Sequence, residues 1–256
     1  MLKLFINEYG RLRSGWRAVI FVAAFIAALL LLVTVLRAFY VLFVAVAPPL
    51  PRSRIIPDVI YRFSLLGAAL GAGYLCARYL EALPWRSLGL ALHAGWFRDL
   101  VIGCVIGFVS LALAVGIAAA GNGLKFSIND ASLLAMGRSL LVSVIWLFVA
   151  ALAEEAIFRG YALQTFTRAQ LVGFGVVSTS VAFGFVHLSN PYVAGLAFVN
   201  TVLAGVWFAI GYLRTRSLWL PLGLHWAWNW ALGWFFGVPV SGATLVSNTL
   251  LRATDV

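Results

Sequence analysis

Charge is scarce in this 256-residue chain: Asp, Glu, Lys and Arg make up 10% of it, against about 25% in an average soluble domain. So few polar groups cannot cover the surface of a water-soluble core. Disorder is excluded as well, because it goes with low hydrophobicity. Acids are the scarcer sign, eight residues against 18 basic ones, so an acid inside an apolar run stands out. Cysteine is nearly absent. Cys76 and Cys104 lie in apolar runs, their spacing suits neither a disulfide framework nor a zinc site, and both read as small buried hydrophobes. What abounds is apolar: 63% of the residues are hydrophobic, with 24 glycines besides, and the mean hydropathy is +1.01. This is the composition of a polytopic membrane protein, each span of which needs about 20 mostly apolar residues.

The expected fold is all-α, a membrane helical bundle of about seven transmembrane helices, with six or eight as the neighbouring counts. Residues 1–17 are a basic N-terminus carrying Lys3, Arg11, Arg13 and Arg17. The uncharged stretch from Ala18 to Leu36 is too long for a signal-peptide core, although Ala45-Val46-Ala47 has the look of a cleavage site. It reads as a first span. Pro48-Pro49-Leu50-Pro51, with Arg52 and Arg54, reads as a loop. The second span runs over about Ile56 to Leu80, with Arg62 and Arg78 snorkelling to the interfaces. The third covers Leu100 to Leu124, ended by Gly121-Asn122-Gly123. A loop from Asp130 to Arg138 precedes the fourth, which starts near Ser139. From Ala169 to Leu213 no Asp, Glu, Lys or Arg occurs, enough chain for two spans broken at Asn190-Pro191. The seventh runs from about Leu218 to Phe236. By domain, residues 18–132 are N-terminal transmembrane helices, 133–236 the functional core, and 237–256 a tail with room for a short interfacial piece.

The net charge of +10 does not point to nucleic acid, because the basic residues are scattered between apolar runs. The lipid bilayer is the natural partner for them. With the N-terminus inside, eleven basic residues fall on inner segments and six on outer ones, Arg37 lying in an apolar run. The expected location is a bacterial cytoplasmic (inner) membrane, N-terminus inside.

Ionisable residues inside spans are costly and are functional candidates by default. Three groups of sequence carry them or their partners. Glu154 and Glu155 end the fourth apolar run, followed by Arg159. His187 follows Phe183 by four in the fifth span. His225 and Asn229 are four apart in the seventh. His93, in the polar connector, reads as a surface residue. Glu155 and Arg159 are spaced to pair on one helix face, which leaves Glu154 about 100° away for other work. If spans four and five turn between Gln170 and Leu171, Glu154 and His187 are equally far from that turn. His225 lies about 15 Å in from the Arg214–Arg216 turn at ~1.5 Å per residue. The three can then meet if the fourth helix extends through the polar stretch from Arg159 to Arg168.

A carboxylate with imidazoles in a wet pocket can deprotonate water. A His and an Asn one turn apart can donate to a developing oxyanion. Together they suffice for amide hydrolysis without a covalent intermediate, and no Ser or Cys is placed as a nucleophile. Zinc is the open alternative, with Glu154, His187 and His225 as ligands and a water position left over, although the usual His-Glu-x-x-His helix is absent.

Glu-Glu-x-x-x-Arg (Glu154, Glu155, Arg159), Phe-x-x-x-His (Phe183, His187) and His-x-x-x-Asn (His225, Asn229) resemble the three motifs of the CPBP intramembrane protease family, complete and in order. That family includes the type II CAAX prenyl endopeptidases and bacteriocin-processing and immunity-type membrane proteins. The resemblance covers about residues 140 to 235. It implies membrane helices around a cavity and an intramembrane endopeptidase acting on a membrane-anchored protein or peptide. Glu154 would activate water with His187, and His225 with Asn229 would hold the oxyanion. Glu155, Arg159 and Phe183 would be supporting residues. No metal is needed in that mechanism. The alternatives are a non-catalytic immunity or scaffold protein and a proton-coupled transporter, in which the same groups relay protons.

Overall fold

A computed structural model describes residues 2–8, 10–46, 55–191, 195–242 and 248–255. The expected Pro48–Pro51 loop with Arg52 and Arg54 lies outside these residues. In chain order, a short helix α1 (Leu2–Phe5) precedes α2 (Ser14–Val46), α3 (Ile55–Glu81), α4 (Trp96–Ala120) and the strand β1 (Leu124–Ile128). Then come α5 (Leu133–Glu155), a π-helical turn Ala156–Ala162, α6 (Leu163–Arg168), α7 (Val172–His187) and α8 (Leu196–Thr215). A further helix α9 (Trp219–Trp230), a second π-helical turn Ala231–Phe235 and the strand β2 (Leu251–Asp255) complete it.

Five of these helical segments are long and apolar enough to cross a bilayer: Ser14–Val46, Ile56–Glu81, Trp96–Ala120, Leu133–Arg168 and Leu196–Thr215. With α7 and the 219–235 segment they make the seven expected, and the chain is an integral membrane protein of the all-α class. Boundaries differ in places. The first helix continues through Arg37, exposed on its side, because nothing in Leu36–Val46 breaks a helix. The fourth begins at Leu133, earlier than expected, and runs on to Arg168. The interruption at Asn190-Pro191 is present between α7 and α8.

The chain divides into two units, each with its own packing. The first comprises the residues up to Gly89 together with Leu152–Gly175. Its core gathers Phe21 of α2, Ala72, Cys76 and Ala77 of α3, Leu88, and Tyr161 from the first π turn. Ala68, Ala69 and Ala72 on α3 are almost wholly buried; with no water to drive apolar helices together, such small side chains let backbones approach closely. At one end the ends of three helices are tied electrostatically. The Glu81 carboxylate accepts from Arg17 Nη1 at 2.9 Å and from Arg168 Nε and Nη2, each at 2.8 Å.

The second unit comprises Leu90–Ala151 and Val176–Val256. Its central contact is α4 against α9. Gly103 and Gly107, one turn apart on α4, lie against the backbone of Leu220 and Leu224, and Gly223 of α9 lies against that of Leu100. A methyl group at any of the three would collide with main chain. We expect Gly107→Val to force the helices apart at a cost of about 1–3 kcal/mol or more and to lower the thermal midpoint in detergent. Gly116→Val on the same helix, where nothing lies within 4 Å, should melt as the parent does. Seventh-span tryptophans act in packing: Trp226 Nε1 donates to the Val144 carbonyl at 3.1 Å, and Trp219 Nε1 to that of Ala91 at 3.0 Å.

Two residues depart from their sequence reading. Cys104 is only half-buried, in an apolar groove with Phe108 and Trp230. His93 is half-buried, with Nε2 3.9 Å from Asp99 Oδ2. Nor is the tail merely interfacial. Residues 251–255 pair antiparallel with 124–128, from Leu124 opposite Asp255 to Ile128 opposite Leu251.

Candidate functional site

The first motif lies in the first unit. Glu155 and Arg159 form the expected pair, Arg159 Nη1 donating to Glu155 Oε1 at 3.0 Å, and both side chains are wholly buried. Burial explains why they pair: an ionised side chain withdrawn from water is tolerated only against an opposite charge with hydrogen bonds. The Arg159 guanidinium also lies 5.7 Å from the centroid of the Phe158 ring, and its carbonyl accepts from Gln164 Nε2. Glu154 is half-buried. Arg62 of α3, expected at the interface, is instead half-buried within electrostatic reach of Asp58 and Glu154.

The helix does not continue regularly after the two acids. From Ala156 to Ala162 it is a π turn, closed by the Leu163 N–H donating five residues back to the Phe158 carbonyl. The same irregularity follows the third motif, where the Phe236 N–H reaches the Ala231 carbonyl at 2.9 Å. A π turn adds a residue to the helix and re-aims the side chains beyond it, and such turns concentrate at functional sites. No sequence rule used above marks them.

The second and third motifs come together in the second unit, around a cavity of about 760 Å³ lined by Phe183, His187, Phe208, His225 and Asn229 among others. Each histidine is held. His187 Nδ1 lies 2.7 Å from the Phe183 carbonyl oxygen. A carbonyl only accepts, so Nδ1 carries the hydrogen, and in the neutral ring Nε2 is the basic nitrogen. His225 is buried at 3% exposure. Its ring stacks on Phe208, with centroids 4.5 Å apart and planes 15° from parallel, and the Phe183 ring meets it edge-on at 6.0 Å. Phe183 lies against both imidazoles, its centroid 4.5 Å from that of His187. The spacing of four between His225 and Asn229 brings both side chains to this same cavity.

Two cavity residues escaped the sequence reading. Phe208 is one apolar residue among many in α8, and nothing in its surroundings signals a histidine partner. Asn200, also lining the cavity, is a polar side chain in an apolar helix; a search that had included amides as well as ionisable groups would have found it. Within either unit, the described residues hold no group of three or more His, Cys, Asp or Glu side chains placed to bind a metal ion.

The cavity therefore offers a basic imidazole nitrogen, a second imidazole clamped by aromatic rings, and a carboxamide, in a chain with few other polar groups inside its spans. Comparison with known proteins points the same way. No curated protein and no solved structure matches the chain. One family model does match, over a segment that contains all three motifs and the first π turn. It bears out the likeness carried by the motifs: residues 136–231 match the model of the Type II CAAX prenyl endopeptidase Rce1-like family.

Proposed function

We propose that this protein hydrolyses a peptide bond in a membrane-associated protein or peptide, with Glu154 as the base, His187 as its helper, and His225 with Asn229 as the oxyanion site. In this reading the Glu154 carboxylate takes a proton from water, with Nε2 of His187 orienting the water or sharing the proton. The hydroxide adds to the carbonyl carbon. The negative charge that develops on the carbonyl oxygen is met by donors from His225 and the Asn229 amide. Collapse breaks the C–N bond, and the proton held by Glu154 passes to the departing amine. The observation that supports the reading best is the common cavity of His187, His225 and Asn229. The Nδ1 bond to Phe183 supports His187 in its role, because it fixes the ring and makes Nε2 the basic nitrogen. The stacked Phe208 ring suits a fixed donor at His225, since an oxyanion site works by being aligned in advance.

Zinc, were it bound, would supply Lewis acidity and a more acidic water, with Glu154, His187 and His225 as its ligands. Asn229 fits that role poorly, because a carboxamide is a good donor to an oxyanion and a weak ligand for zinc. The test uses purified full-length protein in nanodiscs with a membrane-anchored reporter peptide. Asn229→Ala is expected to lower kcat about 10²–10³-fold with KM little changed. Unaltered kcat removes the oxyanion assignment. A chelator strong enough to strip zinc should leave the rate of the parent protein where it was; abolished turnover restored by added zinc would transfer the chemistry to the metal.

A further inference from the structure

The polar cavity of the first unit, which no motif residue lines, is unaccounted for by peptide hydrolysis. It measures about 850 Å³ and is lined by Glu8, Arg11, Arg13, Arg17, Glu81 and Arg168 along with uncharged neighbours. Four guanidiniums thus face two carboxylates. Glu81 is shared by Arg17 and Arg168, so this triad alone keeps a positive charge, and Arg11 and Arg13 are exposed. Excess guanidinium around a cavity is an anion site in chemical terms, since the planar fork matches two oxygens of a phosphate.

Position indicates which phosphate. Ser14 begins α2, whose apolar window has a hydropathy of 3.2, Glu81 ends α3, and Arg168 ends α6. The cavity is therefore level with the ends of membrane helices, where a bilayer places its headgroups. The floor is built for the place. Residues before α2 are folded back by an isolated bridge between Ile6 and Leu12 and by the Arg13 N–H donating to the Phe5 carbonyl at 2.9 Å. This arm is clamped to α2: Trp16 Nε1 donates to the Leu4 carbonyl at 3.2 Å, and the Phe5 and Trp16 rings stack at 5.0 Å. Leu4, Phe5 and Trp16 nevertheless remain exposed, Leu4 at 66%. Apolar and indole side chains beside a basic cavity suit the boundary between headgroups and acyl chains.

We infer that this cavity binds the phosphate of an anionic glycerophospholipid, with Arg11 and Arg13 as its outer ligands and the Arg17–Glu81–Arg168 triad as its floor. The site is independent of the proposed hydrolysis, and it locks the N-terminal arm to the membrane surface at which the arm lies.

Native mass spectrometry of the full-length protein in detergent, titrated with phosphatidylglycerol or phosphatidylcholine, tests this. One phosphatidylglycerol is expected to bind in preference to phosphatidylcholine. Arg11→Ala combined with Arg13→Ala should weaken that binding about 25-fold, about fivefold for each basic residue at a membrane surface. Both positions are exposed and outside the Glu81 triad, so the fold should survive; an unchanged thermal midpoint in phosphatidylcholine checks this. Arg98→Ala, which removes one positive charge from a side chain that is 76% exposed, should leave binding intact. Equal phosphatidylglycerol binding by the double variant and the parent overturns the site. Equal weakening by Arg98→Ala reduces it to a diffuse charge effect and overturns it too. If millimolar inorganic phosphate displaces the lipid fully, the site takes free phosphate and the lipid assignment fails.

Discussion

Glu154→Gln is expected to cut single-turnover cleavage of a membrane-anchored peptide about 10²–10⁴-fold, the range over which a positioned general base acts. Glutamine keeps the shape of the side chain and removes its capacity to take a proton from water. Folding should be unaffected, because the charge partner of Arg159 is Glu155 and Glu154 itself is only half-buried. The variant should therefore purify and melt like the parent and bind substrate with similar affinity. That combination separates lost chemistry from lost structure. Turnover within about threefold of the parent, well short of the loss expected of a base, would end the general-base assignment and favour a chain that keeps the motif for structural reasons.

Adjacent Glu155 should behave in the opposite manner. Glu155→Ala leaves the Arg159 guanidinium wholly buried with its partner gone, and removal of one member of a buried pair costs about 3–5 kcal/mol. For a domain of this size that corresponds to a fall of about 10 °C in the thermal midpoint, measured in detergent. Activity should fall with the folded fraction. Replacing both residues with apolar ones, Glu155→Leu with Arg159→Met, should recover much of the stability, since a buried ion pair is often no better than well-packed hydrophobes of similar volume. A single variant that melts like the parent would show that the pair is not needed to hold the first π turn. Two neighbouring glutamates, one whose loss stops turnover and one whose loss loosens the fold, is the pattern expected of a catalytic residue beside a structural one.

The Glu155–Arg159 pair was legible in the sequence because it is local. A spacing of four on a helix brings two side chains together whatever surrounds the helix. The same holds for His225 with Asn229, and for Phe183 with His187, where the spacing also lets His187 reach the carbonyl four residues back. The continuation of the fourth helix through Arg168 was likewise readable, because its residues contain no proline before the turn at Gln170, whose φ is +61°. Arg62, half-buried within reach of Asp58 and Glu154, is the complementary case. A lone arginine near the end of an apolar stretch has the same sequence signature whether it reaches the interface or stays beside an acid on another segment.

Hydrophobic patterning and turn residues by themselves determined the membrane class and the approximate spans, because a bilayer requires every spanning segment to satisfy its backbone internally and so makes helices of apolar runs. The tertiary structure decided what those helices meet. It stacked Phe208 on His225, set Gly107 and Gly223 where backbones approach, joined Glu81 to Arg17 and Arg168, and paired strand 124–128 with strand 251–255. Each of these contacts joins residues far apart in the chain, and each depends on the summed packing of whole helices, which no local periodicity records.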